Sequence, residues 1–269
     1  MRVSELDSLF EHLWQQYVEI TPSAQSIHAL LGRGQPIVND HIALRTYALP
    51  DIGLEDLGAH FIQLGYEYAG DYDFTIKKLR ARHLQHPDPA VPKVFISELK
   101  VSELSSAAQH IIGMLYQQLP PGFMRQSDAL YRGRPWQLSF HDYQMLLAES
   151  EYAAWLAAFG YRANHFTVSV NALAGFNSLD DVNQTLQDAG FSLNRSGGLI
   201  KGDAYALLEQ SSTLADHAQV QFSDQLASIP SCFYEFALRY PDAHGRLYQG
   251  FIEASADKIF DSTNVHHVG

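Results

Sequence analysis

The spacing of apolar residues changes from helical to strand-like near residue 35. In residues 1–35, apolar side chains recur three and four positions apart, which predicts helices with one buried face. The positions that form this stripe are Leu6, Leu9, Phe10, Leu13, Trp14 and Tyr17. Residues 37–47 then alternate and are rich in β-branched side chains, so a strand is predicted there.

Residues 36–101 predict a β-α-β-β-β module. After the first strand, residues 54–64 have helical spacing and end at Gly65. Further strands are predicted over residues 66–69, 74–85 and 93–101. Residues 102–162 then predict a helical connection, with helices over residues 102–119 and 142–159.

The same order of elements returns in residues 163–269, which we interpret as a second module and a C-terminal segment. A strand over 164–171 and a helix over 179–189 precede strands over 191–194, 202–209 and 232–240. The copies align: 24 residues separate His41 from Gly65, and 25 separate His165 from Gly190. Glu98 then corresponds to Glu235, and the longer interval before Glu235 predicts an insertion. We expect a duplication into two fused modules of an α+β fold whose curled sheets share one cavity, with residues 1–269 as a single functional unit.

Composition narrows the classes of function. The 18 lysines and arginines stand against 30 aspartates and glutamates, and a net charge of −12 disfavours binding to nucleic acid. The single cysteine excludes an internal disulfide and a multi-cysteine zinc site. Because no apolar run approaches the ~20 residues that cross a bilayer, we expect a cytoplasmic protein without a membrane partner. The 13 histidines direct attention to metal or acid–base chemistry.

Two histidines and one glutamate fall on strands of the paired modules. Residues two and four apart on a strand share a face, so His41, His165 and Glu235 can converge on one cavity. Two imidazoles and a carboxylate form the facial triad of non-haem Fe(II) oxygenases. A histidine within a strand is more often a hydrogen-bonded core residue. A buried carboxylate without a partner is costly, however, so Glu98 and Glu235 each need a cation.

The other candidates each leave two interpretations open. Glu98 is either a fourth ligand in a closed site or an acceptor that orients an imidazole. Arg45 and Arg239 share a face with His41 and Glu235, respectively, and either hold a substrate carboxylate or form an internal salt bridge. A polar run follows a predicted cavity strand and either binds substrate or forms an ordinary turn; it consists of Ser211, Ser212 and Thr213.

Several segments resemble the 2-oxoadipate dioxygenase/decarboxylase family, whose members are also called hydroxyglutarate synthases. These segments are HIALRT (residues 41–46), VFISEL (94–99), NHFTV (164–168), LLEQSSTLAD (207–216), FYEFALR (233–239) and the closing GFIEASADKIFDST (250–263). The resemblance extends from about residue 35 to residue 263. The last of these segments, residues 250–263, is also similar to the end of hydroxyphenylpyruvate dioxygenases, which have the vicinal-oxygen-chelate architecture.

The resemblance implies an Fe(II) enzyme that decarboxylates a small dianionic 2-oxo acid with O₂. The first candidate substrate is 2-oxoadipate, with 2-hydroxyglutarate and CO₂ as products. His41, His165 and Glu235 match the family's iron ligands, and Arg45 matches its substrate-carboxylate arginine. Similar ligand sets also take Zn, Ni or Mn. Two alternatives stay open: a metal-dependent lyase or isomerase of the glyoxalase kind that uses Glu98 as well, and a non-catalytic binding protein of the same fold. The sequence does not predict an oligomeric state.

Overall fold

The structure is a computed structural model that describes residues 4–259, apart from the side chain of Asp257. Its helices are α1 (Glu5–Ile20), α2 (Pro22–Gly32), α3 (Leu54–Gln63), α4 (Ser106–Tyr116), α5 (Phe140–Glu149), α6 (Glu151–Phe159), α7 (Leu179–Asp188) and α8 (Glu253–Ile259). Its strands are β1 (Asn39–Tyr47), β2 (Glu67–Phe74), β3 (Leu79–Gln85), β4 (Lys93–Leu99), β5 (Ala163–Ser169), β6 (Lys201–Asp203), β7 (Leu208–Ser212), β8 (His217–Gln221), β9 (Leu226–Pro230) and β10 (Phe233–Arg239). Short 3₁₀ turns lie at Thr75–Lys77, Val101–Glu103, Phe123–Arg125, Ala129–Tyr131 and Val170–Ala172.

Two β-α-β-β-β modules share one eight-stranded sheet. The strand order is β2-β3-β4-β1-β5-β10-β7-β6, and the modules meet where β1 pairs antiparallel with β5. In each module the first strand pairs parallel with the last, as β1 does with β4 and β5 with β10. The predicted α+β fold of two fused modules is confirmed. The β8–β9 hairpin lies between β7 and β10 and accounts for the predicted insertion.

Residues 74–85 and 202–209 were each predicted as one continuous strand, but a hairpin turn interrupts each of these ranges. The β2–β3 turn ends at Lys78 (φ 57°) and the β6–β7 turn at Leu207 (φ 64°). Positive φ at the end of a turn is usually signalled by glycine or asparagine, and here that signal is absent. Residues 191–194 form an isolated bridge, between Leu193 and Thr213, rather than a strand.

The helical connection is also more divided than predicted. The helix expected over residues 102–119 is reduced to α4, and the one expected over 142–159 separates into α5 and α6 at Ser150. Ser150 adopts an extended backbone, and its hydroxyl accepts a hydrogen bond from the Ala153 amide. A serine that caps the next helix in this way ends the preceding one. Within residues 4–259, every helix is too short or too polar to cross a bilayer.

Two helices cover the face of the sheet that carries His41, here called the inner face. At one end, Tyr47 donates a hydrogen bond to the Ala153 carbonyl of α6, at 2.9 Å. At the other, the Phe251 ring lies 4.7 Å from the His41 ring, just before α8. The opposite face packs against α1, where Trp14 contacts the Phe166 ring edge-on at 5.1 Å. The inner face is therefore enclosed between α6 and the segment that includes Phe251 and α8.

Candidate metal centre

Each candidate histidine follows a residue that interrupts the β1–β5 ladder. Asp40 and Asn164 have no opposite residue in the neighbouring strand, because the register shifts on either side of them. Such β-bulges redirect side chains and occur beside active sites. Asp40 Oδ1 lies 2.8 Å from Nδ1 of His41, and Asn164 Oδ1 lies 3.1 Å from Nδ1 of His165. With both Nδ1 atoms engaged, Nε2 of each ring is the nitrogen that can bind a metal.

The two Nε2 atoms meet the carboxylate of Glu235. His41 Nε2 lies 3.6 Å from one carboxylate oxygen of Glu235, and His165 Nε2 lies 3.2 Å from the other. One ligand atom from each residue falls within 4.8 Å of the other two, and all three residues are buried. Ligands about 2.0–2.2 Å from a metal lie about 3–4 Å from one another, so the cluster has the size of a metal site.

The charge balance of this cluster also suits a cation. Burial raises the pKa of Glu235, an effect that His41 and a hydrogen bond from Gln210 partly offset. Burial lowers the pKa of His165 well below its usual value and keeps the imidazole in the neutral, metal-binding form. Among residues 4–259, no lysine or arginine approaches Glu235 within 4 Å. A carboxylate that is only 1% exposed and faces two imidazoles is the environment in which a divalent ion is stabilising.

Three supporting residues escaped the sequence analysis. Gln210 on β7 donates from Nε2 to Glu235 at 2.6 Å, while Asp40 and Asn164 orient the two histidines. Both copies of the repeat place an acidic or amide residue immediately before the ligand histidine, so the alignment itself contained a signal for this pair.

Glu98 lies away from the centre, and its predicted roles as a fourth ligand or an imidazole acceptor are wrong. His41 pairs with Lys93 and His165 with Phe233, so the counterpart of Glu235 is Phe95 and not Glu98. The three-residue offset places Glu98 on the opposite face of β4. There its carboxylate accepts from the Leu54 amide at 2.8 Å, at the start of α3, and from Nε of Arg80 at 2.9 Å.

Arg45 lies on the inner face beneath α6. Its guanidinium stacks 4.7 Å from the Tyr152 ring and 5.0 Å from the Trp155 ring. Nη1 lies 3.3 Å from Oε1 of Glu151, so Arg45 forms its internal salt bridge with Glu151. The positive charge is near enough to His165 to help lower the pKa of that histidine, after burial and His41.

Arg239 forms the salt bridge that the sequence left as an alternative, in place of the predicted substrate contact. Its Nε and Nη2 donate to both carboxylate oxygens of Asp40, at 2.6 and 2.8 Å. Nη1 donates to the carbonyls of Tyr248 and Gly250, at 2.9 and 2.8 Å. With four hydrogen bonds to the protein, this guanidinium supports the site through Asp40 and through the backbone of Tyr248 and Gly250.

The polar run at the end of β7 divides between the two faces of the sheet. Ser211 donates to Asn183 of α7 at 2.8 Å, and the Thr213 hydroxyl accepts from the Tyr234 amide at 3.0 Å. Their predicted substrate contacts therefore do not fit the structure, because these hydroxyls bind the protein itself. Ser212 is the register partner of Glu235 and shares the face of Gln210. It is the member of the run that the fold places beside the cluster.

A small cavity of about 20 Å³ adjoins the three candidate ligands. Its walls are His41, Phe95, His165, Gln210, Glu235, Phe251, Ala256 and Ile259. This volume suits one water molecule or one ion.

Comparison with known proteins places this chain in a family. Residues 1–118 and 128–246 match the model of the 2-oxoadipate dioxygenase/decarboxylase family. The chain belongs to that family. A chloroplastic/amyloplastic 2-oxoadipate dioxygenase/decarboxylase from Oryza sativa subsp. japonica is 34% identical to this chain, and the match covers 96% of this chain and 78% of the rice protein. The family resemblance read from the sequence is confirmed.

Solved structures agree with this assignment. The hydroxyglutarate synthase of Oryza sativa in complex with 2-oxoadipate is 33% identical and superposes with a TM-score of 0.90, covering 96% of this chain and 91% of that one. A Shewanella frigidimarina protein, described only provisionally as a hydrolase, is 54% identical with a TM-score of 0.90, covering 94% and 100% of the two chains. This chain thus shares its fold with a hydroxyglutarate synthase from rice and with this bacterial protein.

Proposed function

We propose that this member of the 2-oxoadipate dioxygenase/decarboxylase family is an Fe(II)-dependent enzyme that converts 2-oxoadipate and O₂ to 2-hydroxyglutarate and CO₂. The observation that carries the proposal is the buried cluster of His41, His165 and Glu235, which has the composition of a 2-His-1-carboxylate iron site. The rice relative described in complex with 2-oxoadipate supports the choice of substrate.

The donor set fits a divalent metal held by Nε2 of His41, Nε2 of His165 and the Glu235 carboxylate. Bound Fe(II) would act as a Lewis acid toward the 2-oxo acid and supply electrons for the reduction of O₂. Three protein ligands leave coordination positions for substrate and O₂. The same nitrogen and oxygen donors accept Zn, Ni or Mn, so the metal in purified protein depends on supply as well as on the site.

Arg45 is the residue proposed to bind the carboxylate of the substrate that lies far from the metal. It shares the inner face with His41 and lies toward α6, and the rings of Tyr152 and Trp155 restrict its guanidinium. A planar guanidinium can donate two parallel hydrogen bonds to a carboxylate. Holding the distal end of the diacid determines which carbon faces the metal, and so which carbon is hydroxylated.

The apolar wall of the cavity is proposed to exclude bulk water from the reacting groups. Phe95 and Phe251 pack with their ring centroids 5.0 Å apart, and Ile259 of α8 completes this wall. In such a dry environment the attraction between Arg45 and a substrate carboxylate is stronger than in water.

The glyoxalase-type alternative requires a fourth ligand from the first module, and the register gives that position to Phe95. A phenyl ring cannot bind a metal, so this alternative has no support from the geometry. A binding protein without catalysis is distinguished by experiment. A cytoplasmic location stays a prediction.

The decisive experiment is an oxygen-electrode assay of protein loaded with Fe(II) under anaerobic conditions. We expect O₂ uptake that depends on a five- to seven-carbon 2-oxo diacid, with equimolar CO₂ and, from 2-oxoadipate, 2-hydroxyglutarate. The Glu235→Gln variant serves as the inactive control. Stoichiometric iron without uptake on any diacid would overturn the proposal, and a protein indifferent to added Fe(II) would favour simple binding.

A further inference from the structure

Arg239 contacts, through one guanidinium, both the residue that orients His41 and the segment that covers His41. Toward the sheet it forms a two-point ion pair with Asp40, and both side chains are buried. Asp40 is therefore held between Arg239 and Nδ1 of His41.

On its other side Arg239 contacts the beginning of residues 248–259, here called the closing segment. Nη1 donates to the carbonyls of Tyr248 and Gly250, and the guanidinium carbon lies 5.2 Å from the Phe251 ring. Phe251 in turn meets the His41 ring edge-on at 4.7 Å. The closing segment and the Nδ1 support of His41 thus depend on the same cation.

The second histidine has no equivalent charged support. Asn164 takes the place of Asp40, and the position on β4 that corresponds to Arg239 is occupied by Leu99. A neutral amide is therefore sufficient to orient an imidazole in this fold. The ion pair of Arg239 and Asp40 occurs at His41, the histidine that Phe251 covers. This placement indicates a role for the pair beyond orienting the imidazole.

We propose that Arg239 is a positioning residue that couples closure of the segment 248–259 to the seating of His41 at the metal. This inference rests on the proposed function in one respect: a divalent metal must bind the cluster of His41, His165 and Glu235. Because coupling between two sites is reciprocal, metal binding should stabilise the closing segment, and the closed segment should strengthen metal binding. Removing Arg239 should separate the two effects.

Hydrogen exchange by mass spectrometry, with Mn(II) as the probe metal, tests the coupling in the intact chain. In the unmodified protein, Mn(II) should slow amide exchange in residues 248–256. In Arg239→Gln, we expect about 10–100-fold weaker Mn(II) binding by equilibrium dialysis, the range typical of lost support behind a metal ligand. Mn(II) should then leave the exchange of residues 248–256 unchanged.

Two further variants separate coupling from damage to the fold. Asp40→Asn combined with Arg239→Leu copies the neutral arrangement of Asn164 and Leu99, so it should fold and bind Mn(II) without the metal-dependent protection. Arg80→Gln removes an ion pair with Glu98 on the opposite face and should retain both the affinity and the protection.

Three outcomes would overturn the inference. The first is Mn(II) binding to the unmodified protein without any slowing of exchange in residues 248–256. The second is a folded Arg239→Gln or double variant in which Mn(II) still protects this segment; in both cases the proposed metal site survives. The third, an unmodified protein that binds no Mn(II) or Fe(II), would overturn the proposed function together with the coupling.

Discussion

Phe95 holds in the first module the position that Glu235 holds in the second. The parallel registers establish this, because each residue lies two positions beyond the partner of its module's ligand histidine. The duplicated fold therefore supplies two histidines but a single carboxylate. An apolar ring stands where a symmetrical site would carry its fourth ligand, and this asymmetry suits a metal with open coordination positions rather than a closed one.

The first prediction separates the two glutamates. Glu98→Ala should leave Mn(II) affinity within about twofold of the unmodified protein but lower the free energy of unfolding by about 1–3 kcal/mol, because Arg80 and the start of α3 lose their acceptor. Glu235→Ala should weaken Mn(II) binding by more than about 100-fold, beyond the loss typical of a supporting residue. Equilibrium dialysis and urea denaturation measure both quantities. Loss of metal from Glu98→Ala would restore the four-ligand interpretation.

The same pair of glutamates shows what the sequence could and could not predict. Strand alternation and the repeat were sufficient to bring His41, His165 and Glu235 together, because both depend on a period of two. The alignment of Glu98 with Glu235 was wrong by three positions, and an odd offset moves a side chain to the other face. A match of similar letters between short apolar strands does not determine register, which depends on pairing with the neighbouring strand.

The bulges at Asp40 and Asn164 could not be read from alternation either. A bulge adds one residue to one strand and leaves the apolar pattern on both sides nearly unchanged. Likewise, the turns that end at Lys78 and Leu207 lack the glycine that usually marks positive φ. The order of the elements was predicted well, whereas features set by local backbone geometry, including the break between α5 and α6 at Ser150, needed the structure.

The second prediction tests Arg45 with a substrate that lacks the carboxylate Arg45 is proposed to bind. The unmodified enzyme should prefer 2-oxoadipate over 2-oxohexanoate, which lacks the distal carboxylate, by about 30- to 1,000-fold in kcat/KM, which corresponds to about 2–4 kcal/mol from charge-assisted hydrogen bonds. Arg45→Met should lose about this factor on 2-oxoadipate and little on 2-oxohexanoate. Equal losses on both acids would indicate that Arg45 supports the fold through Glu151 rather than binding substrate.

The third prediction concerns His83, a buried imidazole on β3. Its ring nitrogen Nδ1 lies 2.9 Å from the Tyr72 hydroxyl, and the residue is only 3% exposed. Burial, followed by the positive charges of Lys93 and Arg239, lowers the pKa of His83 to about 4, with Asp71 acting in the opposite direction. The folded protein therefore disfavours the proton that the unfolded chain accepts near pH 6.5.

The stability contributed by neutral His83 is complete above about pH 6.5 and is lost as the pH falls toward 4. At pH 5 the loss should be about 2 kcal/mol, from about 1.4 kcal/mol for each pH unit below 6.5. Urea denaturation of metal-free protein at pH 7 and pH 5 should show a difference about 2 kcal/mol smaller in His83→Gln than in the unmodified chain. Equal pH dependence in the two proteins would contradict the assignment.

The last prediction addresses Gln210, which holds one oxygen of Glu235 at 2.6 Å while the other lies 3.2 Å from His165. Gln210→Leu removes this donor, so the carboxylate is less firmly oriented and Mn(II) affinity should fall about 10–100-fold. Burial raises the pKa of Glu235, and the hydrogen bond from Gln210 partly offsets this effect. Without that hydrogen bond the pKa should rise further, so protons should compete more strongly with the metal in the variant. The loss in affinity should therefore be larger at pH 6 than at pH 8.

Ser211→Ala is the matched control for Gln210→Leu, because Ser211 is the next residue on β7 and faces away from the metal. Its hydroxyl donates to Asn183 of α7, so the variant should lose about 1 kcal/mol of stability and retain Mn(II) affinity. Titration of the two variants with Mn(II) at both pH values gives the comparison. If Ser211→Ala lowers the Mn(II) affinity as much as Gln210→Leu does, β7 acts through its general rigidity. The specific hydrogen bond to Glu235 then does not determine the affinity.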